Sequence, residues 1–163
     1  MKNTLALICL CCIATACNFS KGTKNDLVTG LSVNYNGFSI KDAALADEND
    51  QRLKTNEVSL GQTVEITIEG IDNYYKQDGR VFPILDITVT DKAGAVVLQG
   101  KDIFGADLKE QNGFTPEYAS TLSGTITVGN PMQSGETYHA TMKITDKLHT
   151  ENVIDAEVNL IVK

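Results

Sequence analysis

Tryptophan is absent from this chain of 163 residues, arginine occurs twice, and no cysteine follows residue 17. Each absence closes a route. Without tryptophan there is no indole face to stack on a sugar ring, and tyrosine is a weaker substitute. With only Arg52 and Arg80, and a net charge of −7, the chain has no basic stripe for phosphates, so no nucleic-acid partner is expected. The same acidity repels anionic lipid, so membrane attachment has to come from something other than overall charge. With no cysteine past residue 17, no internal disulfide can hold the folded part together, and its stability rests on packing. Beyond the first residues, no segment approaches the ~20 apolar residues that span a bilayer.

Catalytic patterns are missing too. There is no Gly-x-Ser-x-Gly elbow; the nearest serines stand in Leu31-Ser32-Val33 and Leu122-Ser123-Gly124. Of the two histidines, His139 falls on the polar side of an expected strand and His149 in a turn beside Asp146 and Glu151. Two histidines without a cysteine fall short of the three or four nitrogen and sulfur ligands that zinc takes. Carboxylates are numerous but show no pairing that singles out glycoside hydrolysis. The chain reads as a non-enzyme.

What is present begins at the N-terminus. Cys9, Cys11, Cys12 and Cys17 are all the cysteines of the chain. After a basic start at Lys2, Cys9, Cys11 and Cys12 lie in a short apolar run, Thr4–Ile13, which is followed by the small residues Ala14-Thr15-Ala16 and then Cys17. A basic start, a short apolar run and small residues before a cut are the parts of a secretory signal peptide. Four thiolates suffice in number for a zinc or iron–sulfur site, but the Cys-x-Cys-Cys spacing is not the usual Cys-x-x-Cys pair, and the ligands would lie inside an export signal. Cys9, Cys11 and Cys12 serve as small apolar residues. A plain signal peptide cut after Ala16, leaving Cys17 as a free thiol, is the other reading.

Ala14-Thr15-Ala16-Cys17 resembles the lipobox of bacterial lipoproteins, in the looser form typical of Bacteroidota, with Ala14 where the commonest pattern has leucine. The resemblance covers residues 1–20. It implies that the Cys17 sulfur receives a diacylglyceryl group, that residues 1–16 are removed, and that the new N-terminus is acylated. Several acyl chains anchor where one binds only marginally. The resemblance further implies an outer-membrane lipoprotein. The segment after Cys17 holds no acid until Asp26, which favours the periplasmic side over the cell surface. Residues 17–27 then read as a polar tether and 28–163 as one domain.

Within that domain the dominant signal is alternation with a period of two. Leu31, Val33 and Tyr35 alternate with polar neighbours, as do Val64, Ile66 and Ile68; Leu85, Ile87 and Val89; Tyr138, Ala140, Met142 and Ile144; and Ile154 through Val162. Such spacing predicts strands with one face buried. Asp91-Lys92-Ala93-Gly94 predicts a hairpin, and turn signals recur at Gly129-Asn130-Pro131, Ser134-Gly135 and Asp146–His149. The result is an all-β chain, an antiparallel β-sandwich of seven to eight strands. Lys41–Glu57 reads as a polar loop with a helical turn at Ala43–Ala46, and Pro116–Ser120 as a short helix. Ser134-Gly135-Glu136-Thr137-Tyr138 resembles the Ig-like superfamily, where a tyrosine opening a late strand bonds back to the backbone at a corner. The antibody-type disulfide and buried tryptophan of that superfamily are missing here.

Two candidate sites follow. Tyr74, Tyr75, Lys76 and Arg80 form a possible contact patch, since tyrosine and arginine favour interface centres. Asp72, Asp78, Asp102 and Asp107 are candidate ligands for calcium, a hard cation that takes carboxylates from converging loops. The expectation is a membrane-anchored, non-enzymatic module that contacts another envelope protein, with glycan or calcium binding as the alternative.

Overall fold

A computed structural model describes residues 20–105 and 112–163. Cys17 and Asp107 lie outside the described residues. Ten strands fall within them: β1 (Lys21–Asn25), β2 (Ser32–Asn36), β3 (Asp42–Asp47), β4 (Glu57–Val58), β5 (Thr63–Glu69), β6 (Pro83–Thr90), β7 (Val96–Gly100), β8 (Thr121–Thr127), β9 (Thr137–Asp146) and β10 (His149–Val162). They form two sheets, as the alternation predicts. The larger runs β1-β2-β10-β9-β6-β7, with β4 also joined to β10, and the smaller runs β3-β5-β8. All pairings are antiparallel except β4 with β10, which is parallel.

The core lies between the sheets. Ile154, Ala156, Val158, Leu160 and Val162 of β10 are buried, as are Ala140, Met142 and Ile144 of β9 and Leu85, Ile87 and Val89 of β6. Val64, Ile66 and Ile68 of β5, with Leu122 and Ile126 of β8, meet them from the smaller sheet. On β8, Gly124 shares the inward face. A Cβ there would stand 2.6 Å from Met142 Sδ and 2.8 Å from Ile87 Cδ1, so only glycine leaves room for both.

The expected corner is present: the Gln133 amide donates to Tyr138 Oη at 2.8 Å. At the β6–β7 hairpin, Asp91 accepts through Oδ1 from the amides of Ala93 and Ala95, and Gly94 takes φ +82. Pro116–Ser120 contains one 3-10 turn, Tyr118–Ser120.

Three expectations change. The helical turn at Ala43–Ala46 is strand β3, paired along its length with β5. Ala44, Leu45 and Ala46 are consecutively buried, and the Arg52–Leu53 segment pairs on the strand's other edge: Ala46 bridges to Arg52, and the Leu53 amide donates to Leu45 O. Lys21–Asn25, expected in the polar tether, is β1, which needs only backbone pairing with β2 at the sheet edge. Glu57–Val58, expected to end the long loop, is β4.

Candidate functional site

The β1–β2 hairpin sets two surfaces apart. At one end, Ser20 O accepts from the Gly37 amide, which fixes where the chain enters the sandwich. At the other, about five residues or ~17 Å away along the strand, lies the turn Asp26–Leu31.

That turn is tightly bonded. The Asp26 amide donates to Leu31 O, and Gly30 donates to Asp26 O, each at 2.8 Å. The Asp26 carboxylate accepts from the Val28 amide at 2.9 Å and from the Thr29 hydroxyl at 2.7 Å. The Thr29 hydroxyl bond is the main reason that the Asp26 carboxyl lies below its ordinary value, against a desolvation effect of opposite sign. With Asp26 and Thr29 so engaged, the next two side chains point outward: Leu27 is 94% exposed and Val28 62%. No other large apolar side chain noted as exposed among the described residues exceeds Leu27.

Beside this turn runs a groove of about 380 Å³ between the edges of the two sheets. Its floor is apolar, with Leu31, Val33, Ala44 and Leu45; Lys24, Asp42, Arg52 and Lys54 line it as well. Arg52 Nη2 lies 2.5 Å from Asp42 Oδ2 and 3.5 Å from Glu69 Oε1. The Arg52 hydrogen bond holds the Asp42 carboxyl below its usual range, and Asp42 in turn raises the guanidinium. These pairs are half exposed, so they add little to stability. They do fix where charge stands on the rim.

The predicted contact patch divides. Tyr74 is buried, 7% exposed, with its ring edge-on to Phe38 at 4.9 Å and its hydroxyl donating to Ala119 O at 2.9 Å. Burial, with the Asp146 charge adding to it, pushes its hydroxyl pKa far up. It is a core residue, not a contact residue. Tyr75 is 59% exposed and stacks on His149, with centroids 5.6 Å apart and planes 13° from parallel. Lys76 and Arg80 are exposed.

The buried carboxylate of Asp146 holds this loop. It is 0% exposed and accepts from the Tyr75 amide at 2.6 Å and the Leu148 amide at 2.9 Å. Sequence reasoning placed Asp146 only as a turn residue; nothing in the sequence marks it as buried.

The candidate cation ligands Asp72, Asp78 and Asp102 do not assemble. Among the described residues, no three carboxylate, histidine or cysteine side chains come together in a metal-binding group. Asp72 instead accepts from the Asn73 amide, and the amide of Asp102 donates to Asp86 Oδ1. His139 stands on the outer face of the large sheet, its Nδ1 3.1 Å from Asn159 Oδ1 and its Nε2 3.6 Å from Glu157 Oε2. That face also carries a depression of about 390 Å³ lined by polar side chains such as Asn34, Asp86, Lys143 and Asp155. Its rows alternate in charge across the strands, with Lys143 paired to Asp155 on one side and Asp86 on the other.

No protein-family model matches the chain, and no curated protein matches it in sequence. Among solved structures, the chain is similar to the C-terminal domain of wzt, at 9% identity and a TM-score of 0.50, over 90% of this chain and 78% of that one. A superoxide reductase (neelaredoxin) from Ignicoccus hospitalis aligns at 10% identity and a TM-score of 0.38, over 79% of this chain and 82% of that one. At such identities the likeness to the wzt domain concerns the fold alone, an all-β sandwich.

Proposed function

We propose that this chain is a membrane-anchored, non-enzymatic interaction module of the bacterial envelope, held through a lipid on Cys17 and docking another envelope protein at the β1–β2 turn. One observation carries the reading: Leu27 and Val28 are exposed on a turn that four hydrogen bonds hold in place, beside a groove with an apolar floor and charged residues at its margin. An apolar centre ringed by polar groups is the anatomy of a protein interface. Exposed apolar groups that are rigidly presented lose little entropy when a partner covers them. The partner is an envelope protein that offers an apolar ridge for the groove.

Site-specific photocrosslinking in intact cells tests this. A photoreactive residue at position 27 or 28 is expected to give a discrete protein adduct, and one at Tyr118 is not. Leu27→Asp with Val28→Asp should abolish binding of the captured partner to the purified chain. Identical adducts from all positions, or none from 27 and 28, would remove the turn as a docking site. Binding of a purified envelope glycan that survives the double substitution would favour the polar sheet face and a ligand-binding module instead.

A further inference from the structure

The loop cluster where the chain enters the sandwich has a different neighbour. Gly37, whose amide bonds Ser20, packs directly against Asn152. The Asn152 side chain donates to Asn73 O at 3.2 Å, two residues before Tyr75. Asn36 donates to Glu151 O at 2.9 Å, two residues after His149. The Tyr75–His149 stack therefore belongs to the same end of the molecule as Ser20, the end from which the chain leads back to Cys17.

We infer that this end, with Tyr75, His149, Lys76 and Arg80, rests on the lipid headgroups of the membrane that holds the protein. The inference rests on lipid attachment at Cys17, the anchor of the reading above. Only Asn18 and Phe19 stand between Cys17 and Ser20, and three extended Cα–Cα steps reach at most ~11 Å. A sulfur acylated in the bilayer thus leaves the Ser20 end no room to stand clear of the headgroups. The side chains suit that place. Tyrosine settles at the membrane–water boundary, where its ring is half apolar and its hydroxyl stays wet. Lys76 and Arg80 carry no ion pair among the described residues, so their charge is available to lipid phosphates. Asp146 clamps the Tyr75 backbone, so the stack is presented by a fixed loop. Asp72 and Asp78 stand in the same loop and balance Lys76 and Arg80, so residues 72–80 carry no net charge; the rest of the surface is acidic and is repelled by anionic lipid, which leaves this end facing the bilayer and the Leu27 turn facing away from it.

The absence of tryptophan makes the test direct. The full chain is produced in a lipidating bacterial host, its mass is measured for acyl groups on Cys17, and it is reconstituted into phosphatidylethanolamine–phosphatidylglycerol vesicles. Tyr75→Trp then supplies a single indole at the proposed contact, and Leu27→Trp one at the far turn. Both positions are exposed, so both variants keep the fold, which circular dichroism checks. The expected result is a blue-shifted emission for Tyr75→Trp, quenched by lipids brominated near the headgroup. Leu27→Trp shows neither change. Adding Lys76→Glu and Arg80→Glu to Tyr75→Trp should reduce the quenching. With acyl mass present on Cys17, equal quenching at both positions, or none at Tyr75→Trp, overturns the inference and leaves the anchor standing. A chain without acyl mass overturns the anchor and the inference together.

Discussion

Asp146 has no role that its sequence context announces, yet its carboxylate is buried and holds two backbone amides from different segments. Truncating it leaves those amides short of an acceptor in a site closed to water. Hydrogen bonds to a charged group contribute about 1.5–3 kcal/mol each, so Asp146→Ala should lower stability by ~2–4 kcal/mol, read as a lower urea midpoint at unchanged slope. Tyr138→Phe is a milder change. It removes the acceptor of the Gln133 amide and little volume, and should cost about 1–2 kcal/mol. A loss below a few tenths of a kcal/mol would mean that water replaces the hydroxyl. Asp26 and Asp42 set a pH dependence. Their folded pKa values lie below the ordinary one, so the stability they contribute is present above the unfolded carboxylate pKa of about 3.9. It is lost as pH falls through the folded values. Urea midpoints should be flat from pH 7 to 5 and fall below pH 4, and Asp26→Asn should flatten part of that fall. An unchanged acid slope in Asp26→Asn would remove the turn from the explanation.

Strand legibility followed from how each strand is covered. β5, β6, β9 and the later part of β10 have one face on the core and one in water, and their alternation is plain in the residues. β3 has three consecutive buried residues, two of them small alanines, so no alternation exists to be read. β1 is Lys-Gly-Thr-Lys-Asn, an edge strand made by backbone pairing, and its side chains look like those of a linker. Gly124 offers an element-level test. Alanine in mid-strand normally gains over glycine, but here the added methyl enters space already taken by Met142 and Ile87. Gly124→Ala should therefore destabilise by about 1–3 kcal/mol. Pairing it with Met142→Ala, which opens that space, should give a loss smaller than the sum of the two single losses. Strict additivity would show that β8 shifts to accommodate the methyl.

At the scale of the molecule, composition and alternation sufficed for an all-β sandwich, while the surfaces were hidden. Leu27 and Val28 stand side by side in the sequence as a plain aliphatic pair, and only the Asp26 and Thr29 hydrogen bonds turn them outward. Tyr74 and Tyr75 are adjacent and chemically alike, yet one is core and the other surface. Local composition carries no information on which of two neighbouring rings the Phe38 pocket takes. Because Leu27 and Val28 contribute nothing to the core, Leu27→Asp with Val28→Asp should leave the melting midpoint within the range of ordinary surface changes, about ±0.5 kcal/mol for each. A larger loss would assign the pair to packing and not to a partner.

The large sheet pairs β10, which follows every other strand in the chain, with β2 near its beginning, and β10 also holds β9 and β4. During synthesis, no amount of earlier chain can close that sheet. Until residues 153–162 have emerged, β2, β4 and β9 lack their common partner, and half the core has nothing to pack on. Pairings between distant parts of a chain form slowly. The large sheet therefore closes only once residues 153–162 are available to it. Removing residues 153–162 would leave β2, β4 and β9 without that shared partner and the large sheet without the strand that joins its two halves.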